Sequence, residues 1–504
     1  MRKPRRTGGP AAARATLGAL LLLAALTPAA SAAKPRCYGK IATVRGTPGD
    51  DELTGTSGPD VIAALGGDDT IDGGGGNDLL CGGAGNDALF GNEGRDRIAG
   101  GNGRDQTSGG AGNDALDGGI GFDYVNYYVS PSGVRIDLTS GVASGEGDDT
   151  LKGVESVFGS QFADTIVGSE GSNYVQPFGG DDVVDGGGAL DIVFDGVGPL
   201  ASGTDGDDAF DGGDGLDAVA YSEAPGPVDA NLTTRAATGD GTDEIEGMEG
   251  IWGSAFDDVL TGDGARNLLL PGGGDDDVDG RGANDAAAFW FSFAPVTADL
   301  STGSASGEGD DRLVAIEGLL GTVGFSDVLR GDDQTNLLDG DGGDDQLFGN
   351  GGNDWLVGGL GNDRIDGGPG PFDLADFSTM AFQEVEAPVT ADLADGTATG
   401  HGTDDLTAIE ALFGSDLDDT LRGDAGPNVI FGLGGNDLVT AGAGDDRVDG
   451  GPGRDDVDAG EGDDRCRKAE VERGCEGDAE APEHPAAADV KVVEDFRRNF
   501  RRNF

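Results

Sequence analysis

Residues 46–126 read GTPGDDELT, GTSGPDVIA, ALGGDDTID, GGGGNDLLC, GGAGNDALF, GNEGRDRIA, GGNGRDQTS, GGAGNDALD and GGIGFDYVN, nine units of nine residues in unbroken succession. The fourth position is glycine throughout, from Gly49 to Gly121. The sixth is always aspartate: Asp51, Asp60, Asp69, Asp78, Asp87, Asp96, Asp105, Asp114 and Asp123. The eighth is apolar at Leu53, Ile62, Ile71, Leu80, Leu89, Ile98, Leu116 and Val125, with Thr107 the exception. Glycines at positions one, two and four admit positive φ and close backbone approach, so six residues can turn sharply. The last three residues then form a short strand whose middle side chain points opposite to its flanks. One inward apolar residue per unit cannot bury itself alone, so the units must stack. Stacking brings the sixth-position carboxylates together, which is unfavourable without a cation. Carboxylate and carbonyl oxygens at close range are hard ligands suited to Ca2+.

Beyond Asn126 a different segment recurs four times. It opens on an alternating strand, VRIDL at 134, VDANL at 228 and VTADL at 296 and 389. An acidic turn follows, such as GEGDD or GHGTDD, and the segment ends at VFGS, IWGS, LLGT or LFGS. Twenty positions separate Leu138 from Phe158, Leu232 from Trp252, Leu300 from Leu320 and Leu393 from Phe413. These are related spacers, each with one apolar face. After each spacer the nonapeptides resume and supply further sixth-position aspartates: Asp182, Asp208, Asp217, Asp276, Asp345, Asp354, Asp363, Asp437, Asp446, Asp455 and Asp464. The second unit after every spacer carries asparagine there instead, at Asn173, Asn267, Asn336 and Asn428. Those sites are expected to be weaker or vacant. The first unit lacks the fourth glycine, with Phe162 or Phe256 in its place in two cases, and is expected to be structural.

The units resemble Gly-Gly-x-Gly-x-Asp-x-U-x, the RTX or haemolysin-type calcium-binding repeat. The resemblance covers roughly residues 46–467, dense at both ends and degenerate in the middle. It implies an all-β fold, a right-handed parallel β-roll with two nonapeptides per coil, interrupted here by the four spacers. It implies several Ca2+ ions between turns of adjacent coils, held by the sixth-position aspartates and by carbonyls of the glycine-rich turns. The expected division is a signal peptide at 1–32, an N-terminal cap at 33–45, and arrays at 46–126, 159–220, 253–288, 322–376 and 414–467. Spacers fill 127–158, 221–252, 289–321 and 377–413, and a C-terminal cap and disordered tail, ending RRNFRRNF, fills 468–504.

Composition bounds the partners. The 504 residues carry a formal net charge of -63 and 98 glycines. Such a surface repels phosphate backbones and anionic lipid, so nucleic acid and membrane insertion are not expected, whereas cations are attracted. Arg2, Lys3, Arg5, Arg6 and Arg14, then the apolar run Leu17 to Leu26, then Ala30, Ser31 and Ala32 read as a secretory signal peptide, with general secretory and twin-arginine export both open. An exported chain with four cysteines favours disulfides. Of three possible pairings, Cys37–Cys81 and Cys466–Cys475 are preferred, because each staples one end of the chain.

No catalytic residue is identified. His484 lies in the tail, and His401 stands where sister spacers have Glu146, Asp240 and Glu308, as an exposed loop position would. There is no His-Glu-x-x-His, and no Gly-x-Ser-x-Gly elbow has a usable histidine. The expected function is therefore secreted calcium binding coupled to folding. The alternatives are a calcium-stabilised surface or matrix protein, with Phe289, Trp290, Phe291 and Phe293 as an adhesive face for an unknown ligand, and a hydrolase built around His401.

Overall fold

The fold is described by a computed structural model covering residues 34–196, 206–378, 387–469 and 471–478. The expected signal peptide, the first residues of the unit at 203, and the tail with His484 and RRNFRRNF lie outside the described residues.

Every regular element described is a β-strand. Most are three residues long and coincide with positions seven to nine of a unit, as at Val61–Ala63. Each pairs in parallel with the strand two units on. Leu53 faces Ile71 and Ile71 faces Leu89 in one ladder, while Ile62 faces Leu80 and Leu80 faces Ile98 in the other. Two nonapeptides therefore make one coil. One ladder runs from Val44–Arg45 to Val471–Arg473 and the other from Glu52–Thr56 to Cys475–Asp478. Each terminal strand pairs on one side only, so neither ladder closes into a barrel. The fold is a continuous parallel β-roll.

The core between the ladders is a single column of middle-strand side chains, including Ile71, Leu89, Val193 and Leu356, all fully buried. Thr107 sits in that column without penalty because its Oγ1 donates to the Tyr124 carbonyl at 3.2 Å.

The spacers enter in an arrangement that the nonapeptide period does not announce. In the first, Arg135–Asp137, Val142–Ser144 and Asp148–Lys152 form an antiparallel meander. Its third strand pairs in parallel with the preceding coil at Ala115–Ile120, and its first with the following coil at Thr165–Ser169. The opposite ladder takes only Ser156–Phe158 over the same stretch. The same three-against-one pattern recurs in the other spacers. Their apolar alternation faces the core through Val134 and Ile136, Val228 and Ala230, Val296 and Ala298, and Val389 and Ala391. The wider core at each insert is filled by one aromatic ring at an equivalent place: Tyr127, Tyr221, Phe289 and Phe377.

The two outer faces differ. The ladder carrying the meanders is mostly polar outside, with ion pairs such as Lys152–Asp117 at 2.7 Å and Arg312–Asp277 at 2.5 Å and isolated exposed apolar residues such as Val183, Val259 and Leu438. The shorter ladder carries an apolar strip that includes Phe194, Trp252, Leu270, Trp290, Leu320 and Trp355. Both expected disulfides form. Cys37 packs with Ala63 and Leu79 on the outside of the first coils, whereas Cys466 closes the last coil from within the core.

Candidate metal centre

Position six falls at the junction of turn and strand, where the chain enters the roll. All the expected site aspartates except Asp51 are buried. Most of them donate the backbone N–H to Oδ1 of the aspartate one coil on. Asp69 donates to Asp87 at 2.9 Å, Asp78 to Asp96 at 2.7 Å, Asp87 to Asp105 at 2.8 Å and Asp96 to Asp114 at 2.8 Å. The later arrays repeat this, as in Asp345 to Asp363 and Asp446 to Asp464, both at 2.9 Å. Two carboxylate columns thus run along the two edges of the roll.

Those bonds use one oxygen of each carboxylate. The other, Oδ2, is buried without a hydrogen-bond partner in Asp69, Asp78, Asp87, Asp96, Asp105, Asp114 and Asp123. The same holds for Asp217, Asp276, Asp345, Asp354, Asp363, Asp437, Asp446 and Asp464. A buried acceptor left unpaired costs about 1–3 kcal/mol, and more when charged. Burial, reinforced by neighbouring carboxylates, pushes Asp87 and Asp114 up to about 7, Asp354 up to about 8 and Asp345 up to about 9. The N–H each one accepts opposes the rise without cancelling it. A Cβ on Gly100 would run into both Asp105 Oδ2 and the Gly118 carbonyl oxygen. Glycine at position one therefore keeps open a cradle faced by two hard oxygens. The donor set fits Ca2+, which prefers oxygen ligands and tolerates irregular geometry.

The turns are of two kinds. In the first, position two has positive φ, as at Gly83 (φ +134) and Gly101 (φ +132). Leu65, Asn92, Phe178, Arg281, Asp341, Asn350 and Leu433 are forced into the same region at that position. Left-handed backbone costs a non-glycine residue about 1–2 kcal/mol, so the conformation is imposed by the turn. Every orphaned Oδ2 in the first array belongs to a turn of this open kind. In the second kind, position two is Thr, Ser or Asp, and its own N–H satisfies the residue at six. Thr56 N–H donates to Asp60 Oδ2 at 2.7 Å and Thr47 N–H to Asp51 Oδ2 at 2.5 Å. Such closed turns occupy the first two units after each spacer, for example Ser160 to Asp164 and Ser169 to Asn173, both at 2.6 Å. The asparagines at 173, 267, 336 and 428 all lie in closed turns.

Several column members escaped the nonapeptide pattern. Asp191, Asp285 and Asp373 accept the N–H of Asn173, Asn267 and Asp354 from turns of degenerate sequence. Their signal was the distance to those partners, 18, 18 and 19 residues, not the glycines. The acidic turn of each spacer also serves: Asp149, Asp243, Asp311 and Asp404 accept from Asp114, Asp208, Asp276 and Asp363 at 2.8–3.2 Å. GEGDD is thus a shortened nonapeptide turn, with Gly147 and Asp149 at positions four and six. On the other edge Glu155, Glu249, Glu317 and Glu410 accept from Asp123, Asp217, Asp285 and Asp373 at 2.9–3.0 Å. At the second spacer Asp195, Asp208 and Asp243 converge, with carboxylate oxygens within 4.8 Å of one another. His401 occupies position three of the fourth acidic turn, and its Nε2 is buried without a hydrogen-bond partner.

Stacked turn–strand coils with columns of desolvated carboxylates define a calcium-binding β-roll. The pattern of the RTX calcium-binding nonapeptide repeat matches residues 45–80, 82–107, 91–125, 158–193, 252–286, 323–356, 348–370, 413–448 and 432–466, half of the chain, and the protein belongs to that family. No curated protein matches it.

Proposed function

We propose that this is a secreted protein whose roll folds around Ca2+ held between successive open turns, and that its role is binding rather than catalysis. The observation that carries the reading is the column of buried Oδ2 atoms without hydrogen-bond partners. In a calcium-poor cytoplasm like-charge repulsion keeps the chain open. Outside, millimolar Ca2+ fills sites whose affinity is on the order of 10⁻⁴ to 10⁻³ M, as in extracellular modules, and binding energy becomes folding energy. Export is supported by the Arg-rich, then apolar, then small-residue N-terminus and by two disulfides, which persist in oxidising compartments. The test is far-UV circular dichroism of residues 33–504 in chelator, titrated with Ca2+ and separately with Mg2+. A cooperative gain of β signal specific to Ca2+ is expected; a spectrum already folded and indifferent to Ca2+ defeats the reading.

A second reading, calcium-stabilised adhesion, rests on the third spacer. Phe289 and Trp290 are buried, but Phe291 is 44% and Phe293 86% exposed. These two phenylalanines and Trp252 line a groove of about 400 Å³ beside Gly272–Gly274. Retention on immobilised cell-wall or matrix polysaccharide, lost in a Phe291→Ala/Phe293→Ala variant, would favour it; equal retention of both proteins would end it.

A further inference from the structure

We propose that each spacer supplies a calcium site of its own, outside the repeat pattern, through its short Gly/Ala-x-Glu turn. The proposal rests on the calcium reading above. In the first spacer this turn is Gly153, Val154 and Glu155. Only three residues separate positions 150–152, which pair with positions seven to nine of the preceding coil, from Ser156, against six between the same positions of successive nonapeptides, yet the turn reproduces the oxygen cradle. Asp123 is fully buried, its N–H donates to Glu155 Oε2 at 2.9 Å, and its own Oδ2 is buried without a hydrogen-bond partner. A Cβ on Gly118 would meet Asp123 on one side and the Gly153 carbonyl oxygen on the other. The Gly153 carbonyl therefore stands where the next coil's position-one carbonyl stands within an array.

The backbone repeats this where the residue disfavours it. Gly153 has φ +56 and Gly247 +67, but the equivalent residues of the third and fourth spacers are Ala315, at +49, and Ala408, at +51. The alanine carbonyls face Asp285 and Asp373 across Gly280 and Gly367 just as Gly153 faces Asp123. The left-handed conformation of Ala315 and Ala408, unfavourable to alanine, is what aims each carbonyl at the aspartate across the glycine. In this shorter turn glutamate, one methylene longer than aspartate, accepts the aspartate N–H at 2.9–3.0 Å in all four spacers. Ca2+ is the ion that such an all-oxygen, doubly anionic set selects.

The polarity of the spacer follows. Its leading side extends the calcium column of the array before it, whereas the closed turns after it satisfy Asp164 and Asn173 internally. The experiment uses the full mature chain with Glu155, Glu249, Glu317 and Glu410 each changed to Gln, alone and together. Glutamine keeps an acceptor for the aspartate N–H and removes only the charge. Bound Ca2+ is counted by equilibrium dialysis with circular dichroism in parallel, and Asp105→Asn is the reference loss within an array. One ion fewer, or at least a tenfold weaker site, for each glutamate changed is expected, with the calcium-free spectrum unaltered. Wild-type ion count and midpoint in the glutamine variants, alongside a loss in Asp105→Asn, overturns the spacer sites and leaves the array sites standing. No calcium bound by the wild-type chain defeats the underlying reading instead.

Discussion

At the scale of the residue, two aspartates at the same position of the repeat, four units apart, have different surroundings. Asp96 Oδ2 has no hydrogen-bond partner, whereas Asp60 Oδ2 takes both the N–H and the Oγ–H of Thr56. Asp96→Asn is therefore expected to raise the Ca2+ midpoint of folding, and Asp60→Asn to leave it unmoved; equal shifts in a calcium titration would contradict the two-turn distinction. The pH response belongs to the open-turn carboxyls such as Asp96. Among them, burial pushes Asp96 up to about 6, Asp114 to about 7, Asp354 to about 8 and Asp345 to about 9 in the cation-free roll, against about 3.9 in an unfolded chain. Below pH 4 both states are protonated and nothing is lost. As pH rises, the unfolded chain ionises first and binds fewer protons than the folded one, so stability falls until the folded carboxyls ionise too. The chelated chain is thus expected to gain β signal on acidification from pH 8 to pH 4, and a flat circular dichroism profile would count against buried, cation-dependent carboxylates. Most of these aspartates were legible because an eighteen-residue coil preserves the register of a nine-residue unit. Asp149 and Glu155 were not, since their partners lie 35 and 32 residues away across an insertion that breaks the period.

Elements in a roll contact only their neighbours, so damage should stay local. Tyr221 is fully buried at the second spacer, where the core must span a meander on one side and one strand on the other. Tyr221→Ala removes that filling and should cost about 3–5 kcal/mol. Hydrogen exchange is expected to accelerate at Asp229–Asn231 and Ala236–Thr238 while Ala88–Glu93 and Gln106–Ala111 keep their protection. Uniform acceleration would mean that the roll opens as one unit. The spacer strands could be read from their apolar alternation, which places Ile136 and Ala230 in the core. Their antiparallel order could not, because alternation fixes which face is buried and is silent on which neighbour a strand chooses.

For the whole molecule, the unequal strand numbers of the two ladders have a mechanical meaning. Neighbouring strands lie about 4.8 Å apart, so two extra strands lengthen one side of the roll by about 10 Å at every spacer. Four such insertions, all in the same ladder, make one side roughly 40 Å longer than the other over a common core. A strip longer on one side than the other bends, with the polar, ion-paired ladder outside the arc and the Trp252, Trp290 and Trp355 strip inside it. Small-angle scattering of the calcium-loaded chain is expected to give a shorter maximum dimension than a straight rod of the same number of coils, and deletion of one spacer should straighten the profile. The spacers then set the radius of the molecule as the nonapeptides set its length, and the aromatic side becomes a concave lining whose curvature is written in strand counts.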